Sequence, residues 1–403
     1  MKPARRRIAL VGNFLPRRCG IATFTSHVYS ALNAAIEAPL VDVYAMVDPG
    51  NRYDFPSAVT MSIDEQERAA YRRAAQRVTA KNTDLIWIQH EYGIFGGPAG
   101  AYLLDLIGAT SLPVVATLHT VLEAPNADQR LVLEQLARRA SLLIVMADRA
   151  RRLLERVYAV PRSKIAVIEH GVPERGYIAP SAARQCFGVE DRKTIMTFGL
   201  LSPDKGIETM IRALPRIIER CPDAIYRVVG ATHPHLLARE GERHRETLQT
   251  LAHDLGVAGH LCWDNRFLDE EALLDRLAMA DVYVTPYRNP QQITSGALAY
   301  AAALGKPIVA TPYVHATELL ADGRGILVSF DDIEATANAV GNLLSDDEQR
   351  GKMAARIYDH SRALTWDRMA RRALDLFKGL DIGMKPAPHR SHRSIDDKIE
   401  AFA

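Results

Sequence analysis

Cysteine is scarce and scattered: the 403 residues hold four (Cys19, Cys186, Cys221 and Cys262), none in a Cys-x-x-Cys pair. That excludes a disulfide framework and a structural zinc ribbon, and it fits a reducing cytoplasm. Net charge is nearly absent too, since 50 Lys and Arg against 48 Asp and Glu leave only +2, so bulk charge gives no argument for a nucleic-acid partner. No segment approaches the about 20 apolar residues that a membrane helix needs. The one apolar run near the N-terminus, IALVGNFL, is short and meets Arg17 and Arg18 at once, with no small-residue cleavage site. It reads as a buried first strand rather than a leader. His233-Pro234-His235 lacks a third ligand at suitable spacing and reads as a loop rather than a metal site.

What is present is ordinary globular composition, 48% hydrophobic and 24% charged, on a chain long enough for two cores. Short apolar strands alternate with amphipathic helical stretches, the pattern of α/β architecture with parallel sheets. In the first half strands are expected at 8–13, 41–47, 85–89, 113–119, 141–146 and 164–170, with helices at about 22–37, 65–80, 99–108, 126–139 and 147–157. In the second, strands are expected at 194–200, 224–230, 261–265, 282–287 and 307–311, and helices near 206–219, 242–255, 269–279, 296–304, 315–321 and 333–345. The pattern restarts after 171–184, a Gly/Pro/Ser-bearing stretch read as the linker. The expected fold is therefore α/β, with two facing Rossmann-like domains at 1–175 and 176–362 and a cleft at the carboxyl ends of their strands. The Pro-, His- and charge-rich tail 381–403 is expected to be mobile.

Candidate chemistry lies in the loops after strands. The block 286–318, PYRNPQQITSGALAYAAALGKPIVATPYVHATE, carries the strongest signal: a loop ending in Thr294-Ser295-Gly296 opens an Ala-rich helix. The first N–H groups of a helix have no internal partner and sit at the positive end of its dipole, a ready site for an anion. In the loop Gly199 to Gly206, Lys205 stands at a helix start, where a cation is disfavoured unless an anion joins it. Together Lys205 and residues 294–296 read as a diphosphate cradle; alone, each is an exposed lysine or an ordinary N-cap. After the first strand, Gly20 opens a helix and permits close approach, with Arg17 and Arg18 beside it. The alternative there is a plain turn with solvated arginines, for the Gly12/Gly20 spacing is not a dinucleotide fingerprint. His90 and His119 end two further strands and are placed to donate to a substrate hydroxyl or carry a proton, or else are satisfied structural imidazoles. The arginines at 68, 72, 73 and 77 read as a solvated helix face, with attraction to a membrane surface as the lesser option.

Over roughly residues 8–377 the chain resembles the retaining glycosyltransferases of family 4, or group 1, through the Gly20 loop, TFGLLSPDKGIE (197–208), VVG (228–230), the 286–318 block and ALTWDRMA (363–370). The resemblance implies the two-Rossmann-domain (GT-B) fold, with a last helix at 363–380 crossing back to the N-terminal domain. It implies metal-independent, cofactor-free transfer of a hexose from a GDP- or UDP-sugar to a carbohydrate or lipid-linked acceptor, in the cytoplasm or at the inner membrane face. By the same resemblance Lys205 and the N–H groups at 294–296 take the departing diphosphate with Gly199, and His119 lies near the sugar. Glu318 matches an acidic donor-side residue. Two glutamates frequent in the family fall here at Gln292, beside the sugar, and Tyr300, at the ribose; Leu200 replaces a frequent arginine, whose load would fall on Lys205 with help from Arg17 or Arg18. The missing glutamates keep a second reading open, a silent nucleotide-sugar sensor or scaffold, which any turnover of donor would reject. An epimerase or phosphorylase of the same layout is a third.

Overall fold

The computed structural model describes residues 5–188, 190 and 192–380; the expected tail at 381–403 lies outside them. Thirteen strands form two sheets, and every pairing is parallel. The first contains β1 (Arg7–Gly12), β2 (Leu40–Val47), β3 (Val59–Asp64), β4 (Leu85–His90), β5 (Val114–Leu118), β6 (Leu142–Val145) and β7 (Ile165–Val167), ordered 3-2-1-4-5-6-7. The second contains β8 (Thr194–Phe198), β9 (Ile225–Val229), β10 (Leu261–Asp264), β11 (Val282–Thr285), β12 (Ile308–Ala310) and β13 (Ile326–Leu327), ordered 10-9-8-11-12-13. Both begin in the middle and wind outward to either side. Each therefore has a switch point, between β1 and β4 and between β8 and β11, where the loops diverge and leave a crevice.

The central strands are mostly apolar because helices cover both faces. LIWIQH of β4 and VVATL of β5 are buried at every position. Edge strands lack that signature. In β3, VTMSID, only Ile63 is buried, and β13 is two residues long; neither was expected from the sequence. The helix Pro180–Cys186 occupies the end of the stretch read as linker. Arg184 fixes it against the second domain, pairing with Asp281 at 2.8 Å and donating to the Met279 carbonyl.

The chain leaves the first domain and later returns to it at one place. Val172 N–H donates to the Leu364 carbonyl at 2.9 Å, and Trp366 N–H to the Val172 carbonyl at 3.1 Å. Gly171 is required there, since a Cβ would lie 2.0 Å from the Trp366 ring. The helix Trp366–Lys378 then packs on the first domain, Phe377 edge-on to Trp87 with centroids 5.0 Å apart and Trp366 against Phe24 at 5.2 Å. The arginines of the helix Arg68–Ala80 are not a free cationic face: Arg68 and Arg72 share Asp105, and Arg73 pairs with Glu67. No helix among the described residues is long and apolar enough to cross a membrane.

Candidate active site

A cleft of about 1200 Å³ separates the carboxyl ends of the two sheets. Ten of the sequence-predicted residues line it: Arg18, Gly20 and His119 from the first domain, and Gly199, Lys205, Gln292, Thr294, Ser295, Gly296 and Tyr300 from the second. Three others do not.

On the second-domain wall, Ser295 caps the helix Gly296–Ala303, its Oγ accepting from Leu298 N–H at 3.2 Å. Its own N–H donates to Nδ1 of buried His315 at 2.9 Å. Burial holds that imidazole neutral, with its pKa down to about 3, as an accepting nitrogen requires. The loop is thus fixed from behind, and the first N–H groups of the helix, at Gly296 and Ala297, have no acceptor within it. Thr294 Oγ1 is buried without a partner among the described residues. A buried hydroxyl in that state costs stability unless something fills it. Gln292 donates its amide N–H to the Thr294 carbonyl at 2.6 Å, which directs Oε1 elsewhere.

Opposite this helix start, the short turn Pro203–Lys205 carries Lys205. Gly206 follows at φ 61°, where a Cβ would meet the Pro286 carbonyl at 1.9 Å, so the turn can close only on glycine. The Lys205 ammonium lies 4.0 Å above the Tyr287 ring. It makes no ion pair with any described residue, whereas nearby Arg288 pairs with Glu208 and Asp331. A cation–π contact holds it in place without neutralising it.

On the first-domain wall, His119 Nε2 lies 3.2 Å from Gln89 Oε1, and Phe24 packs edge-on to its ring. The carbonyl oxygen can only accept, so Nε2 carries the proton. Burial, with His170 and His90 near, lowers its pKa to about 3. His119 is therefore a neutral hydrogen-bonding group, not a proton carrier near pH 7.

Arg17, His90 and Glu318 lie elsewhere. Arg17 is turned into its own domain, donating to Asn13 Oδ1 at 3.0 Å and facing Asp48 and Glu65, each at 3.6 Å. His90 follows Gln89 on a strand, so its side chain takes the opposite face; it is fully buried between Tyr92 and Phe95. The Glu318 carboxylate accepts from the N–H groups of Asp148 and Arg149, at 2.8 and 2.7 Å. These begin the helix Asp148–Tyr158 of the first domain. A carboxylate at a helix start is well placed, and here it ties the two domains together.

Sequence reasoning missed a second cross-cleft contact. His27 Nε2 lies 2.9 Å from the Tyr300 hydroxyl and 3.1 Å from Glu270 Oε2, with its ring stacked on Trp366 at 4.9 Å. Burial lowers the His27 pKa to about 4 and raises that of Glu270 to about 7. The four residues come from four separate helices, and no local motif marks them. His170 and Glu91, also in the cleft wall, were missed as well. His233 caps the short helix Pro234–Glu240 by accepting from His235 N–H. Among the described residues no group of three His, Cys, Asp or Glu could hold a metal.

Known proteins fit this geometry. Residues 192–346 match the family model described as glycosyl transferases group 1, and residues 26–175 that of glycosyltransferase family 4. A D-inositol 3-phosphate glycosyltransferase of Corynebacterium urealyticum is 30% identical over 275 residues, 66% of this chain and 62% of that protein. A GDP-mannose-dependent alpha-(1-6)-phosphatidylinositol monomannoside mannosyltransferase of Mycolicibacterium smegmatis is 35% identical over 181 residues, 43% of this chain and 44% of that one. The alignments thus span less than two thirds of either relative. The structure of sucrose-phosphate synthase from Thermosynechococcus elongatus superposes with a TM-score of 0.75 at 17% identity, over 93% of this chain and 99% of that one. That likeness establishes the GT-B fold. With both halves matched in order on that fold, the chain belongs to the group 1, family 4 glycosyltransferases.

Proposed function

We propose that the chain transfers a hexose from a GDP- or UDP-sugar to a hydroxyl of a carbohydrate or lipid-linked acceptor, with retention at the anomeric carbon. The observation that carries this reading is that the unneutralised Lys205 ammonium and the start of the helix Gly296–Ala303 line one cleft. Fixed positive charge at that point meets the negative charge that grows on a nucleoside diphosphate as the bond from its oxygen to the sugar C1 breaks. Thr294 Oγ1, buried and unpartnered, adds a hydroxyl donor at the same place. Neutral His119, on the opposite wall, has its Nδ1 left to accept from a sugar hydroxyl, and Gln292 supplies a carbonyl acceptor beside it. The acceptor oxygen forms the new bond to C1 from the side the diphosphate leaves, and its proton passes to the departing phosphate oxygen.

In this reading Lys205 and the helix start supply the charge a metal would otherwise bring, so transfer proceeds in EDTA. The GDP-mannose-dependent relative supports a mannose donor, with glucose as the alternative. A lipid-linked acceptor would place the protein at a membrane face. The test is a panel of UDP- and GDP-hexoses, scored by thermal stabilisation, release of nucleoside diphosphate and the anomeric configuration of the product by NMR. Stabilisation by one donor with EDTA-resistant, retaining turnover is the expected result. If no nucleotide sugar raises the melting temperature or is turned over, the reading is wrong.

A further inference from the structure

The first-domain wall of the cleft contains a carboxylate to which the reading above gives no task. Glu91, just beyond β4, lines the cleft beside His119 and Thr120. One carboxylate oxygen, Oε1, accepts from Tyr92 N–H at 3.0 Å, and the other, Oε2, from the Thr120 hydroxyl at 2.5 Å. Both bonds come from its own domain and fix its direction. No described cation stands within ion-pair distance of it. The two nearest by sequence and wall are committed elsewhere: Arg17 to Asp48 and Glu65, and Arg18 over the Phe267 ring at 5.9 Å. Burial raises the pKa of Glu91, as expected of a carboxylate without a cationic partner.

An ionised carboxylate accepts through two oxygens, each with two lone-pair positions. Tyr92 and Thr120 use one on each oxygen, which leaves one on each. Two parallel acceptor positions on adjacent oxygens match the hydroxyls of a vicinal diol. They repel a phosphate, because two like charges in a recess with no cation between them are strongly disfavoured. The donor's diphosphate is held on the other wall, so Glu91 faces the group that enters opposite it.

We infer that Glu91 is the acceptor-binding carboxylate of this cleft and that it selects a neutral polyol, held through a vicinal diol, over a phosphorylated one. The inference rests on the transferase reading for the name "acceptor" and deepens it by giving the substrate class. It departs from the relative whose name specifies an inositol phosphate.

The experiment measures binding of myo-inositol, glucose and mannose, and of their monophosphates, to the full chain by saturation-transfer NMR, with and without UDP or GDP. The chains compared are wild type, Glu91→Gln and Thr120→Val, with thermal unfolding to confirm that each is folded. At least one neutral member should bind wild type more tightly than its monophosphate. Glu91→Gln should weaken it about 10- to 100-fold, the loss of two charge-assisted hydrogen bonds, and reduce the discrimination against the monophosphate. Thr120→Val, which only frees the carboxylate to rotate, should give a smaller loss in the same direction. Affinity for nucleotide sugar should be unchanged in Glu91→Gln. Monophosphates binding more tightly than neutral polyols, no neutral polyol binding, or Glu91→Gln binding them like wild type would each overturn the inference. Glu91-dependent polyol binding in a chain that binds no nucleotide sugar would instead leave this site standing and remove the donor reading.

Discussion

The Tyr300 hydroxyl and His27 Nε2 meet across the cleft at 2.9 Å, one from each domain. Tyr300 stands where a glutamate is frequent in this family, and in this chain the position fastens one domain to the other. Tyr300→Phe keeps the buried ring and removes only the oxygen. It should lower stability by about 1 kcal/mol and loosen closure, raising the radius of gyration of the ligand-free chain in solution scattering. An unchanged melt and scattering curve would show that the contact fastens nothing.

Lys205→Ala removes a cleft cation held 4.0 Å above a ring rather than by an acid. Donor affinity should fall at least about tenfold and transfer by about 10²- to 10³-fold, since the charge matters more as the diphosphate departs. Lys205→Arg should recover part of the loss. Gln292→Ala should act differently, cutting turnover more than donor affinity. Steady-state kinetics beside calorimetric donor binding separates the two, and parallel losses in Gln292→Ala would remove it from the sugar.

The place of Lys205 in the cleft was legible from a local signal, a lysine at a helix start, whereas that of Gln292 came from the resemblance to the family. The central strands were legible from local signals too, as Leu85–His90 and Val114–Leu118 are mostly apolar and wholly buried. What escaped depends on long-range placement. The edge strand Val59–Asp64 has a half-exposed, mixed sequence and is ordered mainly by pairing with β2. His27, Glu270, Tyr300 and Trp366 are brought together only when the domains meet, so no spacing in the chain announces them. His90 was misjudged because its strand was read for where it ends and not for which face each residue takes.

Glu318 offers a sharper correction to test. Its carboxylate caps the helix Asp148–Tyr158 across the domain boundary rather than facing the cleft. Glu318→Ala leaves two N–H groups uncapped and should cost about 1 kcal/mol, with donor affinity changed less than threefold, a bound set by a coupling below that same cost. Glu318→Gln should recover part of the stability through its one carbonyl oxygen. A donor affinity that collapses while the melting temperature holds would return Glu318 to the binding site.

The buried imidazoles set the acid limit of the fold. His90 and His170 have pKa values lowered to about 4, and His119 and His315 to about 3, in each case chiefly by burial. Each is neutral when folded and takes up a proton near pH 6.5 when unfolded, so its contribution is complete above pH 6.5 and is lost as pH falls toward the folded value. By pH 5 the loss is about 2 kcal/mol for each, if they titrate independently. Glu270, raised to about 7, runs the other way: its contribution is present at low pH and lost as pH rises from the ordinary carboxylate range to 7. With His27, also lowered to about 4, five imidazoles oppose two raised carboxylates, Glu270 and Glu91, between pH 5 and 6.5, so the melting temperature should fall on acidification through that window. His90 gives the cleanest check, because neither ring nitrogen has a partner among the described residues and its neighbours are Tyr92 and Phe95. His90→Phe removes two unsatisfied polar atoms, so at pH 7.5 it should be neutral or stabilising. It should also flatten the fall in melting temperature between pH 6.5 and 5 by about one fifth of the five-imidazole effect. A pH profile parallel to that of wild type would mean that His90 takes up its proton alike in the folded and unfolded chain, and the buried charge would then need a partner the core does not supply.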